Sequence, residues 1–259
     1  MSFSPEEVER YARHLVLSEV GGPGQQRLKA ATVVIVGAGG VGSPAALYLA
    51  AAGVGTLRII DGDTVSLSNL QRQILFDTAD IDRPKVEAAA GRLGAINPHV
   101  RVEALNQPLT AENAAVITAG ADAVLDGTDD FETRHRVNAA CVAAGVPLVS
   151  GALGRWTGQV GVFAGKPCYR CLVPESPPDA ETCARVGVVG ALAGVVGAMA
   201  ALETIKLITG AGEPLTGRLM LYDGLSATSR TASVTADPAC PVCGNPPPSG
   251  EVARSGFAT

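Results

Sequence analysis

The residues that most suggest chemistry form the run 68–73, Ser-Asn-Leu-Gln-Arg-Gln. It places hydroxyl, amide and guanidinium groups shortly after Asp61 and Asp63, and Lys85 follows. Cations beside a phosphate chain neutralise the charge that grows on a phosphoryl group and its leaving pyrophosphate. The run therefore favours ATP chemistry over hydride transfer, although Lys85 could also be a solvated helix residue. The candidate ligand-binding residues here are Ser68, Asn69, Leu70, Gln71, Arg72 and Lys85.

A glycine-rich turn, Gly-Ala-Gly-Gly-Val-Gly, precedes that run. Gly37, Gly39 and Gly42 satisfy the G-x-G-x-x-G pattern, with Gly40 inside it. Glycines let the backbone approach a phosphate, and the following helix N-terminus supplies amide donors. Asp61 ends the next predicted strand, where such folds place a carboxylate on a ribose hydroxyl. Taken alone, this pattern also fits a nicotinamide- or flavin-dependent oxidoreductase.

Two adjacent carboxylates, Asp129 and Asp130, follow a predicted strand that ends at Leu125. Ligands of open α/β sheets bind at the carboxyl ends of strands, where a carboxylate can hold Mg²⁺ directly or through water. The alternative role is to cap the helix that begins near Phe131. We expect Asp129 to orient magnesium and Asp130 to cap the helix, with both residues beside the nucleotide.

Four of the six cysteines form two C-x-x-C pairs, Cys168 with Cys171 and Cys240 with Cys243. Paired thiolates of this kind fit a closed tetrahedral zinc site, provided that the fold brings the distant pairs together. A redox role is less favoured, because neither pair is predicted to begin a helix that would lower a thiol pKa. The sequence predicts a structural Zn²⁺ that attaches the C-terminal segment to the body of the protein.

The other two cysteines differ in their surroundings. Cys183 lies in the sequence Glu-Thr-Cys-Ala-Arg ahead of an apolar helix, where an arginine and a helix N-terminus would favour a nucleophilic thiolate. The alternative is an ordinary small buried residue. Cys141 lies within an apolar helical pattern and is predicted to be core.

Arg10 and Arg13 share one face of the N-terminal helix, and their spacing indicates only a solvated face.

The order of predicted elements indicates an α/β fold. Strands and helices alternate in the first half, which favours a Rossmann-like, doubly wound parallel sheet, and strands follow one another in the second half, which favours mixed or antiparallel pairing. We expect one domain over residues 1–244 and a disordered tail over 245–259. The predicted helices are 5–18 (ended by glycines 21–24), a helix to 52, 84–93 and 131–144; the predicted strands are 32–36, 56–60, 100–105, 121–125, 147–150, 159–163, 218–222 and 229–235.

The amino-acid composition and charge bear on the size of the core and on which kinds of partner are expected. Of the 259 residues, 47% are hydrophobic and 17% charged, so we expect a sizeable core. A net charge of −5 argues against wholesale nucleic-acid binding. Residues 186–202 carry no charge but are short and weakly hydrophobic for a membrane span, so they predict a buried or dimer-interface helix. With no secretory signal recognised, we expect a cytoplasmic protein without a membrane or nucleic-acid partner.

Together these motifs resemble the MoeB/ThiF/HesA family of ubiquitin-activating-type adenylyltransferases. The resemblance covers nearly the whole chain and implies ATP-dependent adenylation of the C-terminal Gly-Gly carboxylate of a ubiquitin-like sulfur-carrier protein. It favours a carrier in molybdopterin (molybdenum cofactor) biosynthesis over one that serves thiamine or another thiolated product. The motifs that carry it are VGAGGVGS, DGDTVSLSNLQRQ, RPKVE, DGTDDFETR, CYRC, TCARVGV and the final C-x-x-C.

The resemblance also implies residue roles. Arg13 matches an arginine that family homodimers insert into the partner's active site. The four paired cysteines match a structural zinc site, and Cys183 matches a cysteine that forms a thioester or persulfide, or is dispensable. The nucleotide roles are Gly40 on the phosphates, Asp61 on the ribose, Asn69, Arg72 and Lys85 on the phosphates, and Asp129 on magnesium; the implied catalytic set is Arg13, Arg72, Lys85, Asp129 and Cys183.

Two departures from the family pattern stand out. Asp130 occupies a position where the family often has asparagine, and its extra negative charge beside the phosphates could alter metal affinity. We also expect no appended rhodanese-like domain. We therefore expect the sulfur to come from a separate donor protein.

Overall fold

A computed structural model describes residues 3–176 and 187–244. These residues contain a single eight-stranded sheet. Its strands are β1 (Thr32–Val36), β2 (Thr56–Ile60), β3 (Arg101–Leu105), β4 (Ala123–Asp126), β5 (Leu148–Leu153), β6 (Thr157–Phe163), β7 (Arg218–Asp223) and β8 (Thr228–Ser233). The spatial order is β3-β2-β1-β4-β5-β6-β7-β8. Pairing is parallel from β3 to β5 and antiparallel from β5 to β8, which confirms the predicted fold class.

Helices cover both faces of the parallel half. The α-helices of the described residues are α1 (Pro5–Arg10), α2 (Ala12–Leu15), α3 (Gly21–Ala30), α4 (Gly42–Ala51), α5 (Lys85–Ile96), α6 (Ala111–Thr118), α7 (Phe131–Ala144), α8 (Tyr169–Leu172) and α9 (Gly190–Thr209). One hydrophobic cluster joins the sheet to α3, α4, α5 and α9, and a second joins it to α6, α7 and α8.

Strand β1 shows why its sequence is continuously apolar. Val33 and Ile35 face the first cluster, whereas Val34 and Val36 face the second, and all four are buried. A strand covered on both faces has no position left for a polar side chain. By contrast, β8 is exposed along its whole length, at the outer edge of the antiparallel half.

The N-terminal segment differs from the predicted single helix over residues 5–18. Helix α1 ends before Tyr11, and α2 is a separate short helix. Tyr11 lies at the break with φ −98° and ψ 11°; it is buried, and its hydroxyl accepts a hydrogen bond from Asn97 Nδ2 at 2.8 Å. Residues 21–24, predicted to end a helix, instead form the first turn of α3, with Gly21 at φ +54°.

Helix α9 is the apolar helix predicted near residues 186–202, and it extends to Thr209. By length and composition it could cross a membrane, with a mean hydropathy of 1.7 over its most apolar stretch. It packs instead on α4 and on strands β5 and β6. The approach to α4 is close, because a Cβ on Gly197 would lie 2.3 Å from Pro44 Cγ. This packing fits the prediction of a buried or dimer-interface helix, and Leu202 on it remains exposed.

The register of the parallel strands aligns their carboxyl ends. Val36 at the end of β1 lies beside Ile60 on β2 and beside Asp126 on β4. The next residues along the chain, Gly37 and Asp61, therefore emerge at the same edge of the sheet. This edge is the topological switch point, where open α/β sheets bind their ligands.

Candidate functional site

A cleft of about 1380 Å³ opens at this edge of the sheet. Most of the residues predicted from the sequence to bind a nucleotide line it. Those residues are Gly37, Gly39, Gly40, Asp61, Asn69, Arg72, Lys85, Asp129 and Asp130. The four remaining candidates, Gly42, Ser68, Leu70 and Gln71, are not among the residues found to line it.

The glycines of the turn have two roles: Gly37 and Gly42 allow the tight turn, and Gly39 and Gly40 leave its backbone open to the cleft. Gly37 adopts φ +86°, a conformation that favours glycine. A Cβ on Gly42 would lie 1.9 Å from the carbonyl oxygen of Gly37, so the turn could not close with a larger residue there. Gly39 and Gly40 present backbone to the cleft directly before α4. The arrangement suits a phosphate beside a helix N-terminus.

Asp61 connects the end of β2 to the glycine turn. Its Oδ2 accepts a hydrogen bond from the Ala38 amide at 2.8 Å, and its Oδ1 accepts one from the Asp63 amide at 2.9 Å. Burial raises the pKa of Asp61, and the positive charge of Lys85 opposes that shift. The carboxylate therefore already stabilises the turn, and contact with a ribose remains a prediction for this residue.

Lys85 is a cleft residue and not a solvated helix residue. It is only 5% exposed and begins α5. Its Nζ lies 2.7 Å from Asp63 Oδ2 and 3.8 Å from Asp61 Oδ2. Both carboxylates therefore attract this ammonium group. The pairing holds one cation inside the cleft, with Asp63 as a partner that an incoming phosphate would have to replace.

The run 68–73 forms a tight turn on the cleft wall. Arg72 Nη1 donates to the carbonyl oxygen of Ser68 at 3.0 Å, and Asn69 Oδ1 accepts from the Ser66 amide at 3.3 Å. Ser68 Oγ contacts Ser66 Oγ, and Leu70 packs against the core. Part of this run therefore shapes the turn, which brings Asn69 and Arg72 to the cleft.

Gln73, the last residue of the run, also lines the cleft. It is 4% exposed, and its Oε1 has no hydrogen-bond partner among the described residues. A buried amide with an unpaired acceptor is costly, and a ligand donor would remove that cost. The sequence pattern identified Gln73 as part of the run but assigned it no role.

Asp129 and Asp130 lie at the opposite wall. Asp130 Oδ1 accepts from the Thr133 amide at 2.7 Å, so it caps α7 as predicted. Asp129 lines the cleft beside it. Carboxylate oxygens at the edge of a phosphate site fit the ligand preference of Mg²⁺. The capping bond occupies one oxygen of Asp130, which leaves Asp129 as the better candidate ligand.

Sequence reasoning missed two buried charged residues beneath this wall, Asp126 and Arg134. Asp126 accepts from the amide and hydroxyl of Thr128 at 3.0 and 2.7 Å, and burial raises the pKa of Asp126 against the attraction of Arg134. Arg134 donates to the carbonyl oxygens of Thr128 and Gly151. A signal was present in the sequence, because Arg134 shares the buried stripe of α7 with Val137 and Cys141.

The four paired cysteines come together in a second site, as predicted. Their Sγ atoms all lie within 4.8 Å of one another, with Cys168 3.7 Å from Cys240 and Cys171 3.3 Å from Cys243. Four thiols at this spacing fit a tetrahedral zinc ion. One expectation was wrong, because Cys168 is the N-cap of α8 and its pair does begin a helix.

Metal binding at the cysteine cluster competes with protonation of its thiols. Burial raises the pKa of Cys168, and burial together with the neighbouring Cys171 thiol raises that of Cys243. Neutral thiols bind metal poorly, and a bound metal deprotonates them. The cluster therefore has the geometry of a metal site, and occupancy by a metal would release protons.

The remaining candidates lie elsewhere. Arg13 is exposed on α2 and is not among the residues lining the cleft of its own chain. Arg10 pairs with Glu6 and donates to the carbonyl oxygen of Ile96. Cys141 is buried in the core, as predicted. Cys183 and the tail 245–259 lie outside the described residues.

Comparisons with known proteins agree with this geometry. The chain is 48% identical over 256 residues to a sulfur carrier protein adenylyltransferase of Thermus thermophilus, covering 95% of this chain and 94% of that protein. It is 45% identical to the molybdopterin-synthase adenylyltransferase of Escherichia coli, covering 93% and 98%. It is 47% identical to the ThiS adenylyltransferase of the same organism, covering 91% and 94%.

Solved structures show the same architecture. Escherichia coli MccB superposes with a TM-score of 0.81 at 25% identity, covering 94% of this chain and 74% of that one. A structure of MccB with ATP gives a TM-score of 0.80 at 25% identity, covering 91% and 75%. The ThiF family model matches residues 11–242, which is most of the chain. The chain therefore belongs to the ThiF family.

Proposed function

We propose that this protein is an ATP-dependent adenylyltransferase that activates the C-terminal Gly-Gly carboxylate of a small ubiquitin-like sulfur-carrier protein. The observation that carries the proposal is the convergence of Arg72 and Lys85 on the cleft that the glycine turn borders. Two cations beside a phosphate-binding turn suit a reaction that releases pyrophosphate. The names of the relatives from Thermus thermophilus and Escherichia coli support the same reaction.

The reaction is an in-line displacement at the α-phosphate. A carboxylate oxygen of the carrier forms a bond to the α-phosphorus, and the bond from that phosphorus to the oxygen bridging to the β-phosphate breaks. The products are the acyl-adenylate of the carrier and pyrophosphate. Arg72 and Lys85 stabilise the negative charge that moves onto the leaving pyrophosphate, while Asp61 and the glycine turn position the nucleotide.

Lys85 supplies its charge by exchanging partners. Its Nζ pairs with Asp63, which is an exposed residue, whereas Lys85 itself is buried. An exposed carboxylate partner contributes little net free energy, so a polyphosphate with more charge can replace it. Asp129 is the residue that would hold Mg²⁺, which would neutralise phosphate charge when bound.

We further propose a homodimer, a structural zinc ion and a separate sulfur donor. The protein acts as a homodimer in which Arg13 of one protomer reaches the partner's cleft; its exposure on α2 supports this role. Residues 1–244 act as one adenylation domain in the cytoplasm, and a separate protein donates the sulfur. Cys168, Cys171, Cys240 and Cys243 hold a structural Zn²⁺, and Cys183 is the cysteine proposed to accept the activated carrier or its sulfur.

The carrier of molybdopterin biosynthesis is the proposed substrate, and the thiamine carrier is the alternative. Identities of 45% and 47% to the two Escherichia coli relatives favour neither pathway over the other. An oxidoreductase function finds no support in these relatives. Binding separates the two classes directly, because ATP with Mg²⁺ should raise the melting temperature and NAD should not.

The deciding experiment is carrier-dependent ATP–pyrophosphate exchange. Radioactive pyrophosphate should enter ATP only when a carrier with a free Gly-Gly carboxylate is present. A carrier lacking the final glycine is the matched control and should give background exchange. Testing a molybdopterin carrier and a thiamine carrier side by side identifies the pathway. Exchange with neither, by a folded protein that binds ATP, would contradict the proposed function.

A further inference from the structure

The side chain of Asn138 links the cysteine cluster to the cleft. It is 1% exposed on α7 and uses both ends of its amide. Its Oδ1 accepts from the backbone amide of Tyr169 at 2.8 Å, and its Nδ2 lies 3.5 Å from Cys168 Sγ. A hydrogen bond from an amide N–H to a metal-bound sulfur is a typical outer-shell contact, and it fixes the orientation of the ligand.

Tyr169 carries this link into the cleft. It follows Cys168 directly, is 2% exposed and lines the cleft. Its ring packs edge-on against Phe163, with centroids 5.7 Å apart. The ring therefore lies between the core and the cleft, and Arg134 also lines that cleft.

Arg134 completes the path, because it lies one helical turn before Asn138 on α7. Its guanidinium donates to the carbonyl oxygens of Thr128 and Gly151, so it joins the loop after β4 to strand β5. That loop continues into Asp129 and Asp130, which line the cleft. A shift of Tyr169 would therefore act on the wall that faces the nucleotide.

We propose that a metal ion in the cysteine cluster positions this wall of the cleft through Asn138, Tyr169 and Arg134, so that metal binding and ATP binding are thermodynamically coupled. The inference rests on the proposed function, since it takes ATP as the occupant of the cleft. A bound metal fixes Cys168 Sγ, which fixes Asn138 and, through it, the backbone of Tyr169. Asn138, Tyr169 and Arg134 are then positioning residues for a site that none of the four cysteines lines.

Coupling of this kind must be reciprocal. If the metal strengthens ATP binding by some factor, ATP strengthens metal binding by the same factor. A metal site that only attaches the C-terminal segment would stabilise the fold, but the affinities for the metal and for ATP would be independent of each other. A coupled site and a purely structural site therefore differ in whether zinc changes the affinity for ATP. That affinity can be measured at equilibrium, without any turnover.

The experiment titrates ATP with Mg²⁺ into zinc-loaded wild-type protein and zinc-loaded Asn138→Ala by calorimetry. We expect the variant to keep one zinc per chain, because all four thiols remain, and to bind ATP roughly tenfold more weakly. Cys141→Ala is the matched control. It removes a buried side chain one turn further along α7, and it should bind ATP as the wild type does.

Two further measurements keep the proposal falsifiable if Asn138→Ala folds poorly. Tyr169→Phe retains the ring and removes the hydroxyl near Arg134, and it should weaken ATP binding severalfold with its zinc in place. A chelator competition on the wild type should show tighter zinc binding when ATP is present. Unchanged ATP affinity in Tyr169→Phe, together with zinc affinity that does not respond to ATP, would overturn the coupling. Failure of the loaded wild type to bind ATP at all would overturn the proposed function as well.

Discussion

The cleft and the cysteine cluster satisfy their polar groups in different ways. In the cleft, Lys85 lies 2.7 Å from Asp63, and Arg72 donates to a carbonyl oxygen of its own turn. In the cluster, four thiols contact one another, with amide N–H groups of Asn138 and Asp237 beside them. Lys85 and Arg72 therefore already have partners in the cleft, where Gln73 Oε1 lacks one among the described residues, whereas the four thiols have the spacing of a metal-ion site.

This difference shows how each site should respond to loss of a residue. Internal pairs in the cleft hold the ligand-binding groups in place before a ligand arrives, so removing one group should reduce activity more than stability. The cluster joins segments distant in the sequence, so removing one ligand should reduce stability first. Predictions that separate stability from activity therefore test the comparison.

The largest effect on stability is expected for Cys240→Ser. Loss of one ligand weakens the metal site, and a metal present at about a thousand times its Kd contributes about 4 kcal/mol of folding free energy. The free energy of unfolding, measured in urea, should be nearly the same for the variant as for the wild type treated with a chelator, and lower than for the untreated wild type. Cys141→Ala is the control and should keep its full response to the chelator. A chelator-insensitive wild type would show that the cluster holds no stabilising metal.

The largest effect on activity is expected for Arg72→Ala. Removing a cation that stabilises the leaving pyrophosphate should lower carrier-dependent exchange about 10²- to 10³-fold, with the unfolding midpoint nearly unchanged. Arg83→Ala is the matched control, because Arg83 is an exposed arginine paired with Asp80 and is not among the cleft-lining residues. Near-normal exchange by Arg72→Ala would remove this residue from the mechanism.

Mixing two inactive variants tests whether the dimer shares its sites. Arg13→Ala and Lys85→Ala should each be inactive alone. In their heterodimer, one of the two sites combines an intact Lys85 with an intact Arg13 from the partner, so about half of the wild-type exchange should return. The measurement needs heterodimers purified with two different tags. If these heterodimers stay inactive, Arg13 does not act across the interface.

The smallest effect concerns the pH dependence of stability at Asp61. Because burial raises its pKa above the ordinary value of 3.8, the folded protein holds this proton more tightly than the unfolded chain. The resulting stabilisation is complete below 3.8 and is lost as the pH rises through the folded pKa. The unfolding free energy of wild type minus Asp61→Asn should therefore fall over that range. A difference that rises with pH would mean that Lys85 outweighs burial.

Much of the fold could be predicted from the sequence because its parallel strands β1, β2 and β4 are largely buried. The runs 32–36 and 56–60 are strands at the predicted positions. Helix α3 was missed because it begins with glycines, which normally end helices, and α6 was missed because its apolar stripe is short. Packing against neighbours stabilises both helices, and a local pattern does not contain that information.

The site was predictable as a set of residues but not as a set of contacts. Glycine spacing and strand ends brought most of the candidates to one cleft. Burial of Lys85 could not be predicted, because it depends on the start of α5 lying against the end of β2. Arg134 was missed because a charge in a helix is usually solvated. Its spacing from Val137 and Cys141 was a signal of burial, and its partners Thr128 and Gly151 could not be predicted.

The most direct test of the central claim is to detect the acyl-adenylate. The purified protein would be incubated with ATP, Mg²⁺ and a carrier ending in Gly-Gly, without a sulfur donor, and the carrier would be examined by mass spectrometry after acid quenching. We expect a carrier bearing one AMP group at its C-terminus and an equal amount of released pyrophosphate, both absent with Arg72→Ala. Unmodified carrier under conditions in which the protein binds both ATP and carrier would contradict it.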